Sequence, residues 1–141
     1  MSLDAIKALD RRWYDEVLNG MDWDLIGEIV APDFVINGEQ IGADGIKRAA
    51  IWVRSVFPDA RVTIEDVVAE GDRVVTRWVA RATHQAEFFG IPPTGRPVAM
   101  RGIHIDRIAT GMIAERWESV DLLDVLRQLG GTVAAPTEPG H

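Results

Sequence analysis

The chain has 141 residues, 47% hydrophobic and 26% charged, which is enough for one domain with a buried core. Its net charge of −7 argues against nucleic acid as a partner, because phosphate binding needs clustered lysine and arginine. The absence of cysteine excludes disulfides, thiolate metal sites and a cysteine nucleophile. Apolar stretches are too short to cross a membrane and no signal-peptide pattern is present, so we expect a cytoplasmic protein without a membrane partner.

Helical periodicity dominates the first part of the chain. Apolar residues at three- and four-residue steps predict three helices, with N-caps at Ser2, Asp22 and Asp44 and ends at Gly20, Pro32 and Pro58. A short strand over residues 34–36 separates the second helix from the third, and Asn37 with Gly38 has the chemistry of a tight turn.

The second half of the chain alternates between apolar and polar residues, which is typical of strands. We predict strands over residues 61–70, 73–86, 98–108 and 112–120, and a short final helix over 122–129. Two-residue turns join the first pair and the last pair of strands, and a loop containing EFFGIPPTGRP lies between the pairs. Helices followed by an antiparallel sheet indicate the α+β class. We assign residues 1–130 to one domain and residues 131–141 to a flexible tail, which includes His141.

The turn at Thr110 and Gly111 predicts the register of the last two strands. Counting outward from it pairs His104 with Trp117 and Met100 with Asp121, and directly paired residues point to the same face of a sheet. His104, Trp117 and Asp121 are therefore predicted to share one side, with Asp121 where the strand meets the final helix. The same register places the carboxylates of Asp106 and Glu115 opposite each other. Such a pair is unfavourable unless it lies at the rim of the sheet or shares an arginine.

The position of His84 depends on the long loop that follows it. If His84 lies beside Met100, it and Asp121 flank that methionine in one row, about 10 Å apart. His104 then lies deeper in the same cavity. Other residues predicted on this face are Trp78 and three small residues that leave room for a ligand: Ala80, Ala82 and Gly102.

Each candidate also has a purely structural interpretation. Asp121 can be the N-cap of the last helix, Asn37 a turn residue, Trp117 a core residue, and His104 or His84 a hydrogen-bonded histidine. The functional interpretation is that an apolar, tryptophan-bearing surface raises the pKa of Asp121 and suits it to proton transfer. The histidines lack metal-ligand spacing, and no GxGxxG, P-loop or Gly-x-Ser-x-Gly motif occurs, so we expect neither a metal nor a cofactor.

Two motifs resemble the SnoaL-like polyketide cyclase (ester cyclase) family of the nuclear transport factor 2-like superfamily. The first is His84 with residues 87–96, EFFGIPPTGR, and the second is the GxIxExWxxxD pattern that ends at Asp121, followed by Gln128-Leu129-Gly130. The resemblance covers residues 1–130. It implies a cone-shaped α+β fold in which three N-terminal helices pack on a curved, mainly antiparallel sheet, with a short C-terminal helix.

Characterised members of the family close the fourth ring of aromatic polyketides by an intramolecular aldol condensation without a cofactor. The resemblance implies that Asp121 is the acid/base, that His84 or His104 assists it, and that the partner is a small hydrophobic molecule. The expected substrate-binding residues are Trp117, Phe88, Phe89, Met100, Asn37 and Trp78. Two alternatives stay open, a non-catalytic binder of small molecules and an epoxide hydrolase, isomerase or hydroxylase that uses the same pocket.

Two further expectations concern surfaces. One sheet face carries apolar residues among arginines, a composition that favours a homodimer interface: Ile103, Ile105, Val75 and Val79. The resemblance points to a homodimer as well. In the loop, alternation cannot bury both Phe88 and Phe89, so at least one ring is predicted to lean over the cavity mouth.

Overall fold

The computed structural model describes residues 1–131; the predicted tail from residue 132 onward, with His141, lies outside the described residues. In chain order the elements are α1 Leu3–Arg12, a π-helix Trp13–Asn19, a 3₁₀ turn Trp23–Leu25, α2 Ile26–Ile29, β1 Val30–Ile36, β2 Glu39–Gln40, α3 Gly42–Val56, β3 Arg61–Glu70, β4 Arg73–Thr83, β5 Pro97–Ala109, β6 Met112–Val120 and α4 Leu122–Gln128.

The six strands form one sheet in the order β2-β1-β6-β5-β4-β3. All neighbouring pairs are antiparallel except β1 and β6, which are parallel. Helices from the N-terminal half pack on one face of this sheet, here called the inner face. The main core lies between these helices and the sheet. The predicted α+β fold with a mainly antiparallel sheet is confirmed. No helix among the described residues combines the length and the apolar character that crossing a membrane requires.

Local signals placed two of the three helix starts correctly. The side chains of Ser2 and Asp22 accept hydrogen bonds from the first turns of their helices, as predicted. The prediction that Asp44 is the N-cap was wrong, because α3 begins at Gly42 and Asp44 lies in its first turn. Gly42 has φ +71° and lies so close to the carbonyl of Pro32 that a Cβ would be 2.7 Å from its oxygen. Only glycine fits there, and it lets the chain enter the helix early.

The first predicted helix is not one continuous α-helix. At Trp13 it changes to a π-helix, in which the N–H of Gly20 donates to the carbonyl of Asp15, five residues earlier. The wider turn brings three side chains into the core: Trp13, Tyr14 and Val17. Such π-helical segments are rare and are found frequently at functional sites.

The predicted register of β5 and β6 holds only next to the turn. Ile108 pairs with Ile113 as expected, but a bulge then shifts the register by one residue, so that Arg107 faces Glu115. One slip moves every later side chain to the other face. Beyond the bulge, therefore, the prediction that Trp117 and Asp121 share a face with His104 was wrong.

The predicted position of His84 was also wrong. The strand partner of Met100 is Ala80, and β4 ends at Thr83, so His84 lies beyond the strand. Its backbone N–H donates to the carbonyl of Arg96 at the other end of the loop.

Candidate active site

A cavity of about 200 Å³ lies between the inner face of the sheet, the π-helix and α3. Its wall is mainly apolar and includes the indole rings of Trp13, Trp23 and Trp78. Four charged or titratable side chains interrupt this surface: Arg54, His104, Arg116 and Glu118. A mostly apolar cavity with a few convergent polar groups is the usual form of a small-molecule site.

His104 on β5 stands directly opposite Glu118 on β6, with 3.6 Å between Nε2 and Oε1. On its other side, Nδ1 of His104 is 2.8 Å from the hydroxyl of Tyr14 in the π-helix. Burial raises the pKa of Tyr14, so its hydroxyl stays protonated and can donate. The consistent tautomer has Nδ1 accepting from Tyr14 and Nε2–H directed toward the carboxylate.

The surroundings hold His104 neutral and Glu118 ionised. Burial, followed by the charge of Arg116, lowers the pKa of His104 more than the two nearby carboxylates raise it. For Glu118, burial acts to raise the pKa, but the adjacent His104 and the charge of Arg116 outweigh it, and the net shift is downward. The site therefore offers an anionic carboxylate beside a neutral imidazole at neutral pH.

A buried ion pair lies next to the dyad of His104 and Glu118. Arg116 donates from Nε and Nη2 to the two carboxylate oxygens of Asp106, at 2.8 and 2.9 Å, and both residues are buried. Although burial opposes ionisation, Arg116 lowers the pKa of Asp106 to about 2. The guanidinium also lies 4.5 Å from the ring centre of Trp13, so the π-helix and β6 are joined through it.

Asn37 lies outside the cavity but holds Glu118 in place. Its side-chain Oδ1 accepts from the backbone N–H of Glu118 at 2.9 Å, and its Nδ2 donates to the carbonyl of the same residue at 3.3 Å. Asn37 has φ +48°, a conformation that asparagine adopts more readily than most residues. The turn residue therefore connects the end of β1 to the strand that carries the carboxylate.

The other residues expected at the site are divided between the cavity and the outer surface. Met100 and Trp78 line the cavity, as expected. Trp117 lies on the opposite face of the sheet, where the guanidinium of Arg73 is 5.0 Å from its ring centre. Asp121 is exposed, its backbone pairs with Arg101, and its Oδ1 accepts from the N–H of Asp124 at 3.1 Å. The structure thus shows Asp121 as the N-cap of α4.

His84 and Phe88 belong to a second core between α3, α4 and the loop, whereas Phe89 lies at its surface. Nδ1 of His84 accepts from the backbone N–H of Thr94 at 3.1 Å, so the buried imidazole fixes the loop. Phe88 is 3% exposed and packs in this core, whereas Phe89 is 63% exposed and meets Trp52 edge to face. Neither phenylalanine is among the described residues that line the cavity.

The sequence interpretation missed Glu118, Arg116 and Tyr14 as site residues. The sequence did contain a signal for Glu118 and Arg116, because two like charges, Asp106 and Glu115, were predicted to face each other. A shift of one residue replaces that repulsion with an Asp106–Arg116 pair and brings Glu118 opposite His104. No local pattern marks Tyr14, because its place depends on the π-helix.

Within residues 1–131, no three histidine, aspartate or glutamate side chains come together in a way that could hold a metal ion. The cavity wall itself presents two groups that can transfer protons, His104 and Glu118. The dyad can accept a proton at Glu118 and donate one from Nε2 of His104.

Comparisons with known proteins agree with this architecture. The model of the SnoaL-like polyketide cyclase family matches residues 8–129. Nogalonic acid methyl ester cyclase of Streptomyces nogalater is 28% identical over 113 residues, which cover 76% of this chain and 84% of that protein. The solved structure of IdmH from Streptomyces antibioticus is 34% identical, with a TM-score of 0.79 over 89% of this chain and 98% of that one. TsrD from Streptomyces laurentii is 26% identical, with a TM-score of 0.86 over 94% of this chain and 99% of that one. The chain therefore belongs to the SnoaL-like polyketide cyclase family.

Proposed function

We propose that this protein is a cofactor-independent cyclase that carries out aldol-type acid/base chemistry with Glu118 and His104. The observation that carries the proposal is the placement of this pair in the wall of an apolar, tryptophan-lined cavity, with 3.6 Å between the imidazole and the carboxylate. The family supports a cyclase, and the geometry of the cavity supports Glu118 and His104 as its acid/base groups.

In the proposed reaction, Glu118 removes a proton from an acidic carbon that lies between carbonyl groups. The resulting enolate carbon attacks a ketone of the same molecule, a carbon–carbon bond forms, and the ketone oxygen becomes an alkoxide. Nε2–H of His104 protonates that alkoxide, and the proton held by Glu118 returns to His104. Protons and electrons balance, so the reaction requires no external oxidant or reductant.

The cavity wall indicates the class of substrate. Three indole rings offer flat apolar surface for an aromatic ring system, and Trp78 lies edge to face against His104 with 5.4 Å between ring centres. An aromatic polyketide ester that carries a 1,3-dicarbonyl group fits this combination. Nogalonic acid methyl ester, on which the relative from Streptomyces nogalater acts, is therefore the first compound to test.

The experiment compares wild-type protein with Glu118→Gln, His104→Gln and the matched control Glu115→Gln. Glu115 is on the same strand but pairs with Arg107 at 3.2 Å, outside the cavity wall. Ring closure and exchange of the acidic C–H in D₂O are followed by NMR. Loss of one proton-transfer group is expected to lower the rate by about 10²–10⁴-fold. Equal rates for Glu118→Gln and Glu115→Gln would contradict the assignment.

One observation favours a second candidate, a non-catalytic protein that binds a small hydrophobic molecule. The net pKa shift of Glu118 is downward, which weakens the carboxylate as a base. A binder would show a ligand-dependent rise in Tm without ring closure or C–H exchange. The same NMR experiment, with a thermal melt alongside, separates the two functions.

A further inference from the structure

Asp10 is a buried carboxyl group that the proposed chemistry does not use. It lies on α1 and is 1% exposed. Its Oδ2 accepts from the hydroxyl of Thr76 on β4 at 3.2 Å, while its Oδ1 accepts no hydrogen bond from the described residues. A buried oxygen without a partner is costly, so the protonation state of this group needs an explanation.

The neighbouring charges do not balance if Asp10 is ionised. The groups that face it are Asp106 on β5, Arg116 on β6, Thr76 on β4 and Tyr14 in the π-helix. Nε and Nη2 of Arg116 both donate to Asp106. An ionised Asp10 would therefore be a second buried anion beside Asp106, without a cation of its own. Removing an unpaired charge from water is unfavourable, and a proton on one of the two carboxyls removes that cost.

We propose that Asp10 is a protonated carboxylic acid that positions the Asp106–Arg116 pair under the cavity. Its proton is donated to Asp106, which satisfies the free oxygen and leaves the ion pair neutral overall. Burial and then the charge of Asp106 raise the pKa of Asp10 to about 10, which agrees with this geometry. With the pair neutral, Glu118 carries the negative charge that the site presents to a ligand. The role of Glu118 toward a ligand rests on the proposed function, whereas the protonation state of Asp10 does not.

The test uses the full-length protein and the isosteric variant Asp10→Asn, whose amide can accept from Thr76 and donate to Asp106. Asp10→Ala removes both bonds, and Asp4→Asn, on the exposed side of the same helix, is the matched control. A proton bound only in the folded state makes unfolding easier as pH rises from about 4 to about 10, by up to tenfold in the unfolding constant per pH unit.

In urea unfolding from pH 5 to 9, Asp10→Asn is therefore expected to show a weaker decline of stability with pH than wild type and Asp4→Asn. In the same range, ¹³C-carboxyl NMR of wild-type protein labelled at aspartate should show one buried carboxyl that stays protonated. This second measurement decides the protonation state even if the variants fold poorly. A parallel pH dependence of all three proteins, or an ionised Asp10 resonance at pH 7, would overturn the proposal.

The positioning role has its own measurement, the NMR titration midpoint of His104. Because Asp10→Asn preserves the bonds and the neutral charge, it should keep the wild-type midpoint, whereas Asp10→Ala should shift it by releasing Asp106 and Arg116. With substrate, Asp10→Ala should lower kcat more than Asp10→Asn does. Equal effects of the two variants on the midpoint would remove the positioning role. If the wild-type protein shows no turnover, the proposed function is contradicted. The stability and NMR results then still test the protonation state of Asp10.

Discussion

His104 and Glu118 face each other across β5 and β6 because of one extra residue in β6. The register shifts where β5 passes from Ile108 to Arg107 and β6 passes from Ile113 to Glu115, and without this bulge Glu118 would point to the outer face of the sheet. The same shift buries Arg116 opposite Asp106 and directs Trp117 outward. One local irregularity thus determines which acidic residue reaches the cavity.

The assignment of Glu118 can be tested against the earlier expectation for Asp121. Asparagine caps a helix about as well as aspartate, so Asp121→Asn should leave both stability and the rate of ring closure close to wild type. Glu118→Gln should lose about 10²–10⁴-fold in the same assay. If Asp121→Asn is the inactive variant while Glu118→Gln is active, the acid/base is at the helix cap and the structural assignment fails.

His104 should contribute a loss of stability on the acid side. Its folded-state pKa lies below the ordinary value of 6.5, so between these two values the unfolded chain binds a proton that the folded protein does not. The contribution of His104 to stability is therefore fully present above about pH 6.5 and is lost as pH falls through this window, a slope opposite in sign to that expected from Asp10. His104→Gln should flatten that decline in urea unfolding at pH 5 to 8, with an unchanged m-value as the check that the same transition is compared. An unaltered slope would show that His104 is not the group responsible.

Much of the fold could be predicted because its signals are local. Alternation and turn chemistry gave the observed limits of β3 and β6, and the side chains of Ser2 and Asp22 cap their helices as expected. Each of these signals depends on residues close in sequence, where backbone conformation and hydrogen bonding are determined by the nearest neighbours.

The site itself depends on contacts that are distant in sequence. The π-helix directs Tyr14 toward His104, a partner 90 residues away, and the bulge is accompanied by a buried pair between Asp106 and Arg116. Neither irregularity changes the hydrophobic pattern of its own segment, so periodicity could not reveal it. The repulsion predicted between Asp106 and Glu115 was the one sequence feature that conflicted with a regular register.

We continue to expect a homodimer that uses the outer face of the sheet. Ile103 is 44% exposed there, whereas Val79 is already buried within the protomer and contributes less than expected. Light scattering should give twice the chain mass of 15.6 kDa, and Ile103→Glu should give the monomer. The matched control is Leu123→Glu, which introduces the same charge at an exposed apolar residue of α4. If light scattering gives the mass of a single chain for the wild-type protein at micromolar concentration, the expectation of a homodimer is wrong.

The two adjacent phenylalanines should behave differently when each is replaced by alanine. Phe88 is enclosed by Phe57 and the second core, so Phe88→Ala is expected to cost about 3–5 kcal/mol of stability. Phe89 is mostly exposed, and Phe89→Ala should change stability little. Ligand affinity per folded molecule should stay the same in both variants, because neither ring lines the cavity. A loss of affinity in Phe89→Ala without a loss of stability would restore the original idea of a ring over the cavity mouth.

Gly102 offers a way to reshape the cavity without touching its charged groups. The indole of Trp78 packs against this glycine, and a Cβ added there would collide with the ring. Gly102→Ala should therefore push the ring away from the strand and into the cavity, since the backbone on the other side is held in the sheet. The expected result is weaker binding of flat aromatic ligands by calorimetry, with Glu118 and His104 intact. Gly27→Ala is the matched control, because nothing lies within 4 Å of a Cβ at that helical position. If both variants bind alike, Trp78 does not set the space available to a ligand.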